Sequence, residues 1–214
     1  MHALKWSSAP AASSGSDNKD TLSLTGASPS LTTDRLILRR WQPADRIPFA
    51  RLNRDLRVME HFPNRLTRPQ SNLFIERVEA HFEQHGFGLW ATELRGSRTF
   101  IGFIGLSVPH FEAPFMPCVE IGWRLSADHW GRGLATEGAR AVARHAFDVV
   151  RLQALVSFTA PANAASRRVM EKLGMTHNPA DDFDHPLLPE GHPLRRHVLY
   201  RLESRAWRES QATS

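Results

Sequence analysis

Residues 130–135 read Trp-Gly-Arg-Gly-Leu-Ala, and this is where the chain is best equipped to meet a ligand. Gly131 and Gly133 each lack a Cβ, so the backbone N–H groups around them can approach a bound molecule closely. The next residues read as a helix, whose first N–H groups have no intrahelical partner and whose dipole favours negative charge. A phosphate-bearing cofactor suits such a turn. Taken alone, the same spacing also fits a tight strand-to-helix connection with no ligand. A second polar position is Asn163, which opens a short helical run as an N-cap and can present the rest of its amide to a neighbour.

Other constellations carry less. Asp181, Asp182, Asp184, His185, His192 and His197 cluster in sequence, but their spacing matches no common zinc pattern, and a solvated loop accounts for them. No G-x-x-x-x-G-K-[ST] run occurs, which leaves P-loop nucleotide chemistry unsupported. Cys118 has apolar neighbours and reads as structural. Glu137 and Glu171 read as helix-surface charges, and His145 as a core residue on a helix face.

The elements that must position the turn are legible from periodicity. Alternation at Leu36 and Leu38 predicts a half-buried strand. Pro43 and Asp45 mark a helix start, with Phe49, Ala50 and Leu52 at helical spacing, and Val58, Met59 and Phe62 form a second piece ended by Pro63. A third helix is predicted over residues 70–84, with Leu73, Phe74, Val78, Ala80 and Phe82 as its apolar stripe and Gly86 as its stop. Residues 87–94 and 99–108 read as a β-hairpin, and Pro109, Pro114 and Pro117 bound an irregular loop. The helix after the glycine turn shows Leu134, Gly138, Ala141, Val142, His145 and Val149 on one face. That face is small, so the helix should lie close on its sheet. A strand over 152–158, a helix from Asn163 to Leu173 stopped by Gly174, a loop over 178–193 and a last strand over 197–202 complete the pattern. Strand, helix and strand in succession imply one parallel crossover within an otherwise antiparallel, mixed sheet, an α+β architecture.

Composition bounds the class. The 214 residues are 41% hydrophobic and 23% charged, which suits one soluble domain with a tail. Residues 1–30 are rich in Ser, Ala, Gly and Thr and read as a disordered tail, 31–204 as the domain, and 205–214 as a C-terminal tail. A net charge of +5 permits an anionic partner, but the arginines are scattered, and no direct nucleic-acid contact is expected. One cysteine excludes an internal disulfide and fits a reducing cytoplasm. No apolar run approaches a membrane span, and the first 30 residues carry no secretory core, so a cytoplasmic protein is expected.

The ordered set E-I-G-W-R-L, H-W-G-R-G-L-A-T-E and N-A-A-S-R-R-V-M-E-K-L-G-M resembles the GNAT acetyltransferases. It is most similar to the branch containing ribosomal-protein-alanine N-acetyltransferases. The opening L-T-T-D-R-L-I-L-R-R-W and closing G-H-P-L-R-R-H-V-L-Y-R-L share the likeness, which covers roughly residues 31–202. The resemblance implies a GNAT fold with a splayed central strand pair and acetyl-CoA as co-substrate, with no metal. It implies a pyrophosphate cradle of Gly131, Arg132, Gly133, Leu134 and Ala135 with Thr136 beside it, and Trp130 where the family pattern has Gln or Arg. Arg132 would add a charged contact to phosphate. Backbone groups of Trp123 and Leu125 and the side chain of Asn163 match positions that meet the pantetheine arm. The implied reaction is direct attack of a primary amine on the thioester through a tetrahedral intermediate, with Glu120 matching a general base and Ser166 the acid for the leaving thiolate. An ion pair of Glu120 with Arg124 or a loop arginine, and an exposed helix serine at 166, are the alternatives. The acceptor would be a protein N-terminus or a small amine, and a homodimer is possible within the family. A non-catalytic CoA sensor or ribosome-associated binding protein is the competing class.

Overall fold

The computed structural model describes residues 30–212. The proposed N-terminal tail, apart from Ser30, lies outside the described residues. The first strands are β1 (Leu31–Thr32) and β2 (Leu36–Arg39), and Leu36 and Leu38 are both fully buried, as their alternation requires. Pro43–Asp45 is a single 3₁₀ turn rather than the start of an α-helix, because the Asp45 carboxylate folds back to accept from the Gln42 N–H at 2.8 Å. Helix α1 (Arg46–Leu52) begins only after it, and α2 (Leu56–Met59) comes next.

Helix α3 (Arg68–His85) starts two residues earlier than its apolar stripe indicates. Thr67 and Gln70 form a capping box and Pro69 occupies the first turn. Gly86, at φ 74°, closes the helix as anticipated. The buried face differs from the expected stripe. Ser71, Ile75, Val78 and Phe82 point inward, while Leu73 and Ala80 are exposed.

Strands β3 (Leu89–Leu94) and β4 (Phe100–Ser107) make the expected antiparallel hairpin, with a bulge between Thr92 and Glu93. Then come β5 (Glu120–Leu125), α4 (Leu134–Asp148), β6 (Ala154–Thr159), α5 (Ala164–Lys172), β7 (Thr176–His177), β8 (Phe183–Asp184), β9 (Arg196–Glu203) and α6 (Ser204–Ala212). The sheet order is β1-β2-β3-β4-β5-β6-β9-β7, with β8 paired to β9. Among the described residues only β5 and β6 run parallel, joined by α4, which is the crossover read from the sequence.

Helix α4 lies against the sheet as closely as its small face implies. A Cβ at Gly138 would sit 2.3 Å from Ile104 Cδ1 and 3.2 Å from Leu36 Cδ1. Ala139, Val142, Ala143 and Ala146 are fully buried beside it. His145 is buried edge-to-face on Trp90, and burial pushes its pKa down, so it is a neutral core residue. Val149 departs from its expected place. It caps the helix and is 62% exposed.

Two C-terminal segments are more ordered than composition indicates. The acidic loop carries β8, an ion pair from Asp181 to Arg201, a 2.7 Å hydrogen bond between Asp182 and His177, and the buried side chains Phe183 and Leu188. Helix α6 occupies most of the stretch read as a tail and buries Trp207 near Phe147. At the other end of the sheet, Arg39 links Asp45, bidentate at 2.7 and 2.9 Å, to Glu93 at 2.8 Å.

Candidate active site

Beyond Glu120, strand β5 has no partner on the β6 side. The two strands share one ladder position, Glu120 opposite Val156, whereas β5 stays paired to β4 along its whole length. The Val119 carbonyl accepts from the Val156 N–H at 2.9 Å and therefore points toward β6. Backbone groups alternate sides along a strand, so those of Trp123 and Leu125 face the same gap. A molecule with amide groups can continue the ladder there.

The glycine turn lies at the open end of that gap. Gly131 and Gly133 have φ of 72° and 77°, which L side chains rarely adopt. A Cβ on Gly131 would meet nothing within 4 Å, and one on Gly133 only Arg35 Nη2 at 3.6 Å. The backbone conformation, not crowding within the chain, demands glycine, and the space outside is open. Gly133 is the N-cap of α4 and offers no side chain to its N–H groups. The first helical bond there is Glu137 N–H to the Gly133 carbonyl, so the N–H groups of Leu134, Ala135 and Thr136 precede any intrahelical partner. Trp130 fills the place of a polar residue by donating its indole N–H to the Leu125 carbonyl at 2.9 Å, which ties the turn to the end of β5.

A clamp from the N-terminal strands fixes this turn. Glu137, read as a surface charge, accepts from the Thr33 hydroxyl at 2.6 Å, the Arg35 N–H at 2.9 Å and the Arg35 guanidinium at 2.5 Å. Arg35 also donates to the Arg132 carbonyl at 2.9 Å. Burial pushes the Glu137 pKa up, but these hydrogen bonds outweigh it and hold the carboxyl ionised.

Across the gap, Asn163 caps α5 by accepting from the Ser166 N–H at 3.1 Å and donates its amide to Thr159 at 2.9 Å. It is therefore an N-cap that also lines the cleft. The Ser166 hydroxyl accepts from the Trp123 indole at 3.1 Å and is half-buried, not an exposed helix serine. Tyr200 is buried elsewhere, between Glu171 and Arg167.

A cleft of about 620 Å³ joins these parts. Its walls include Glu120, Trp123, Leu125, Trp130, Gly131, Gly133, Leu134, Ala135, Thr136, Asn163 and Ser166. Of the site residues singled out in the sequence, Arg132 alone is not in the wall. Its guanidinium is exposed and lies 3.3 Å from His129 Nδ1.

Glu120 touches the cleft, with its carboxyl set within the fold and accepting from the Ser107 hydroxyl at 3.2 Å. Burial pushes its pKa up to about 7, against the downward pull of Ser107. The ion pair with Arg124 does not form. Arg124 instead donates to Asn53 Oδ1 at 2.7 Å and stacks on Phe62, 4.0 Å from the ring centre. A carboxyl near neutrality beside a gap in a sheet can exchange a proton with a bound amine. Cys118 cannot compete for that role, because burial pushes its thiol up to about 11. Among the described residues, no group of three or more His, Cys, Asp and Glu side chains could hold a metal ion, and no helix is long and apolar enough to cross a membrane.

The second half of the cleft is aromatic. Phe111 and Phe158 pack at 5.8 Å, and His185 and His197 at 5.0 Å beside them. Burial lowers the pKa of both histidines, His185 to about 4, so this wall is uncharged at neutral pH. Sequence reasoning did not single out Ser107, Asn53 or the Thr33–Arg35–Glu137 clamp as parts of the site, and it placed Arg124 there only as a mate for Glu120. The Arg124 position in the E-I-G-W-R-L strand, on the same face as Glu120, is the one signal that bears on any of them.

Comparison with known proteins identifies the family. The family model described as an acetyltransferase (GNAT) domain matches residues 35–176. The chain is 30% identical over 146 residues to the uncharacterized protein YkkB of Bacillus subtilis, covering 68% of this chain and 84% of that one. The crystal structure of an acetyltransferase from Agrobacterium tumefaciens is similar, with a TM-score of 0.67 at 29% identity, over 88% of this chain and 99% of that one. A ribosomal-protein-S5-alanine acetyltransferase from Vibrio fischeri shares the fold, with a TM-score of 0.66 at 16% identity over 84% and 98% of the two chains. With a splayed strand pair, a glycine turn opening a helix at its end, and a family match over residues 35–176, this protein belongs to the GNAT acetyltransferases.

Proposed function

We propose that the protein moves the acetyl group of acetyl-CoA to a primary amine, on a protein N-terminus or a small molecule, by direct attack of the amine. The observation that carries this reading is the placement of Glu120 on the strand that borders the gap, hydrogen-bonded to Ser107 and free of any ion pair among the described residues, where burial pushes its pKa up to about 7. The N–H groups of Leu134, Ala135 and Thr136, the glycine turn, and the gap-facing backbone of Trp123 and Leu125 would hold the cofactor, with Asn163 at its side. When bound, the cofactor supplies an activated acyl thioester. Glu120 takes the proton that the ammonium must lose, directly or through water. The Ser166 hydroxyl, which already accepts from Trp123, keeps its own proton available for the departing sulfur. Arg132, exposed and outside the cleft wall, would meet a phosphate only from the rim.

Acetyl-CoA at about 100 times its Kd should stabilise the purified protein by about 2.7 kcal/mol, a Tm increase of roughly 5–10 °C. Gly133→Val should abolish the increase, because valine resists the required positive φ. A mixed amine and peptide library, read by mass and free thiol, then identifies the acceptor. A melting temperature indifferent to acetyl-CoA refutes the cofactor reading. Binding without any product refutes catalysis and leaves a CoA-binding protein.

A further inference from the structure

One face of β5 forms part of the cleft wall. Alternate residues of a strand share a face, so Glu120, Gly122 and Arg124 point to the same side. All three line the cleft. Nothing obliges residue 122 to be glycine, since a Cβ there would meet only Glu120 Oε1, at 3.7 Å, and its φ is ordinary. Its effect is to leave that face clear between a carboxyl at one end and a guanidinium at the other.

The guanidinium is the unusual group. Arg124 forms no ion pair among the described residues, and its Nε is buried without a hydrogen-bond partner. Asn53 neutralises none of the charge, and the rings of Phe62, Phe103 and Phe74 lie 4.0, 5.4 and 5.8 Å from the guanidinium carbon. Burial pushes the Arg124 pKa down to about 10, with no charged neighbour opposing it. Arg39, also set into the sheet, is by contrast balanced by both Asp45 and Glu93. A half-buried cation packed among aromatic rings, with its Nε unpartnered and no counter-charge beside it, favours a ligand that supplies one. Asn53, itself fully buried and bonded to Ser71 at 3.0 Å, holds the group in place rather than satisfying it.

We propose that the acceptor carries a carboxylate that docks against Arg124 while its amine lies at Glu120. This rests on the acetyltransferase reading above and names its substrate class. The Cα atoms of residues 120 and 124 are roughly 13 Å apart along an extended strand. With both side chains standing off the same face, that spacing favours an acceptor with several bonds between amine and carboxylate, such as an ω-amino acid, over one in which the two share a carbon. The aromatic rings around the guanidinium shed water from the docked pair and strengthen it, and the planar fork of arginine suits a carboxylate.

The test pairs ω-amino acids of four to eight carbons with the ω-amino amides of the same length, measured as kcat/KM at saturating acetyl-CoA. The wild type should prefer the acid to its amide by roughly 30-fold or more at the best length, in line with removal of one partner from a buried charge pair. Arg124→Gln should lose that preference, chiefly through KM for the acid, while acetyl-CoA still raises its Tm. If the variant does not fold, the wild-type comparison decides alone. Equal turnover of acids and amides at every length overturns the proposal, as does a preference that survives Arg124→Gln, or a library acceptor with no anionic group. None of these touches the acetyltransferase reading, which fails only if acetyl-CoA neither binds nor is consumed.

Discussion

Removing the hydroxyl of Ser107 should move the pH dependence of catalysis by a sign and size that the structure dictates. Burial raises the Glu120 pKa to about 7, and the Ser107 hydroxyl, at 3.2 Å, opposes that rise by favouring the carboxylate. A general base works when deprotonated, so kcat/KM should climb with pH through a midpoint near 7. One unit below the midpoint only about a tenth of the carboxyl is ionised, and the rate should be near a tenth of its plateau. Ser107→Ala removes support from the charged form, so the midpoint must move up. A hydrogen bond to a charged group contributes ~1.5–3 kcal/mol, and this one is long and open to the cleft. The lower end gives a displacement of about one pH unit at 1.36 kcal/mol per unit. The assay is the initial rate of thiol release between pH 5.5 and 9, on one acceptor for all variants, so that the amine's own ionisation cancels between them. Glu120→Gln should lower the plateau by ~10²- to 10⁴-fold and flatten the acidic limb. Stability supplies an independent reading. A carboxyl whose folded pKa is raised binds more protons folded than unfolded, so its contribution to stability falls as pH rises from about 4.5 to about 7. Glu120→Gln should therefore gain on the wild type at pH 8 relative to pH 5. Coincident midpoints for wild type and Ser107→Ala, with acetyl-CoA binding intact in both, would refute Glu120 as the base.

The ion pairs give two further outcomes. Arg35→Met should weaken acetyl-CoA about tenfold by calorimetry, through loss of the bonds to Glu137 and the Arg132 carbonyl, while the cofactor-free Tm stays nearly constant because this pair is half-exposed. An unchanged Kd would show that the clamp does not shape the turn. Asp45→Ala strands a buried Arg39 with only Glu93 to balance it and should cost about 3 kcal/mol, a Tm loss of roughly 6–12 °C by calorimetric scan.

What was legible in the sequence was local. Gly131 and Gly133 announce their turn because positive φ admits little else, and Gly86 ends α3 for the same reason. Leu36 and Leu38 reveal β2 by alternation, and the small residues of α4 foretell its close seat on Ile104. What escaped depends on partners far along the chain. Glu137 looks solvated until Thr33 and Arg35, about a hundred residues away, fold onto it. Arg124 looks like a mate for Glu120, four residues back, but a strand carries the two along its length rather than together, and Asn53 of another element takes it. Trp207 sits in a polar stretch whose composition hides one buried face. The α3 stripe misleads because Ser71 faces inward to hold Asn53, a position that hydrophobic periodicity scores as surface.

The single rung between β5 and β6 divides the sheet into two panels, β1 to β5 on one side and β6 to β9 on the other. Each panel is laced internally by a full set of antiparallel bonds, and the seam between them relies on one ladder position and on α4 and α5 packed behind it. A ligand lying in the seam is thus also a fastener when it hydrogen-bonds to Trp123 or Leu125 on one panel and rests against Asn163 beyond β6 on the other. Amide protection at the seam should therefore be low in the empty protein and rise when the seam is filled, so that the two panels breathe separately before binding and as one afterward.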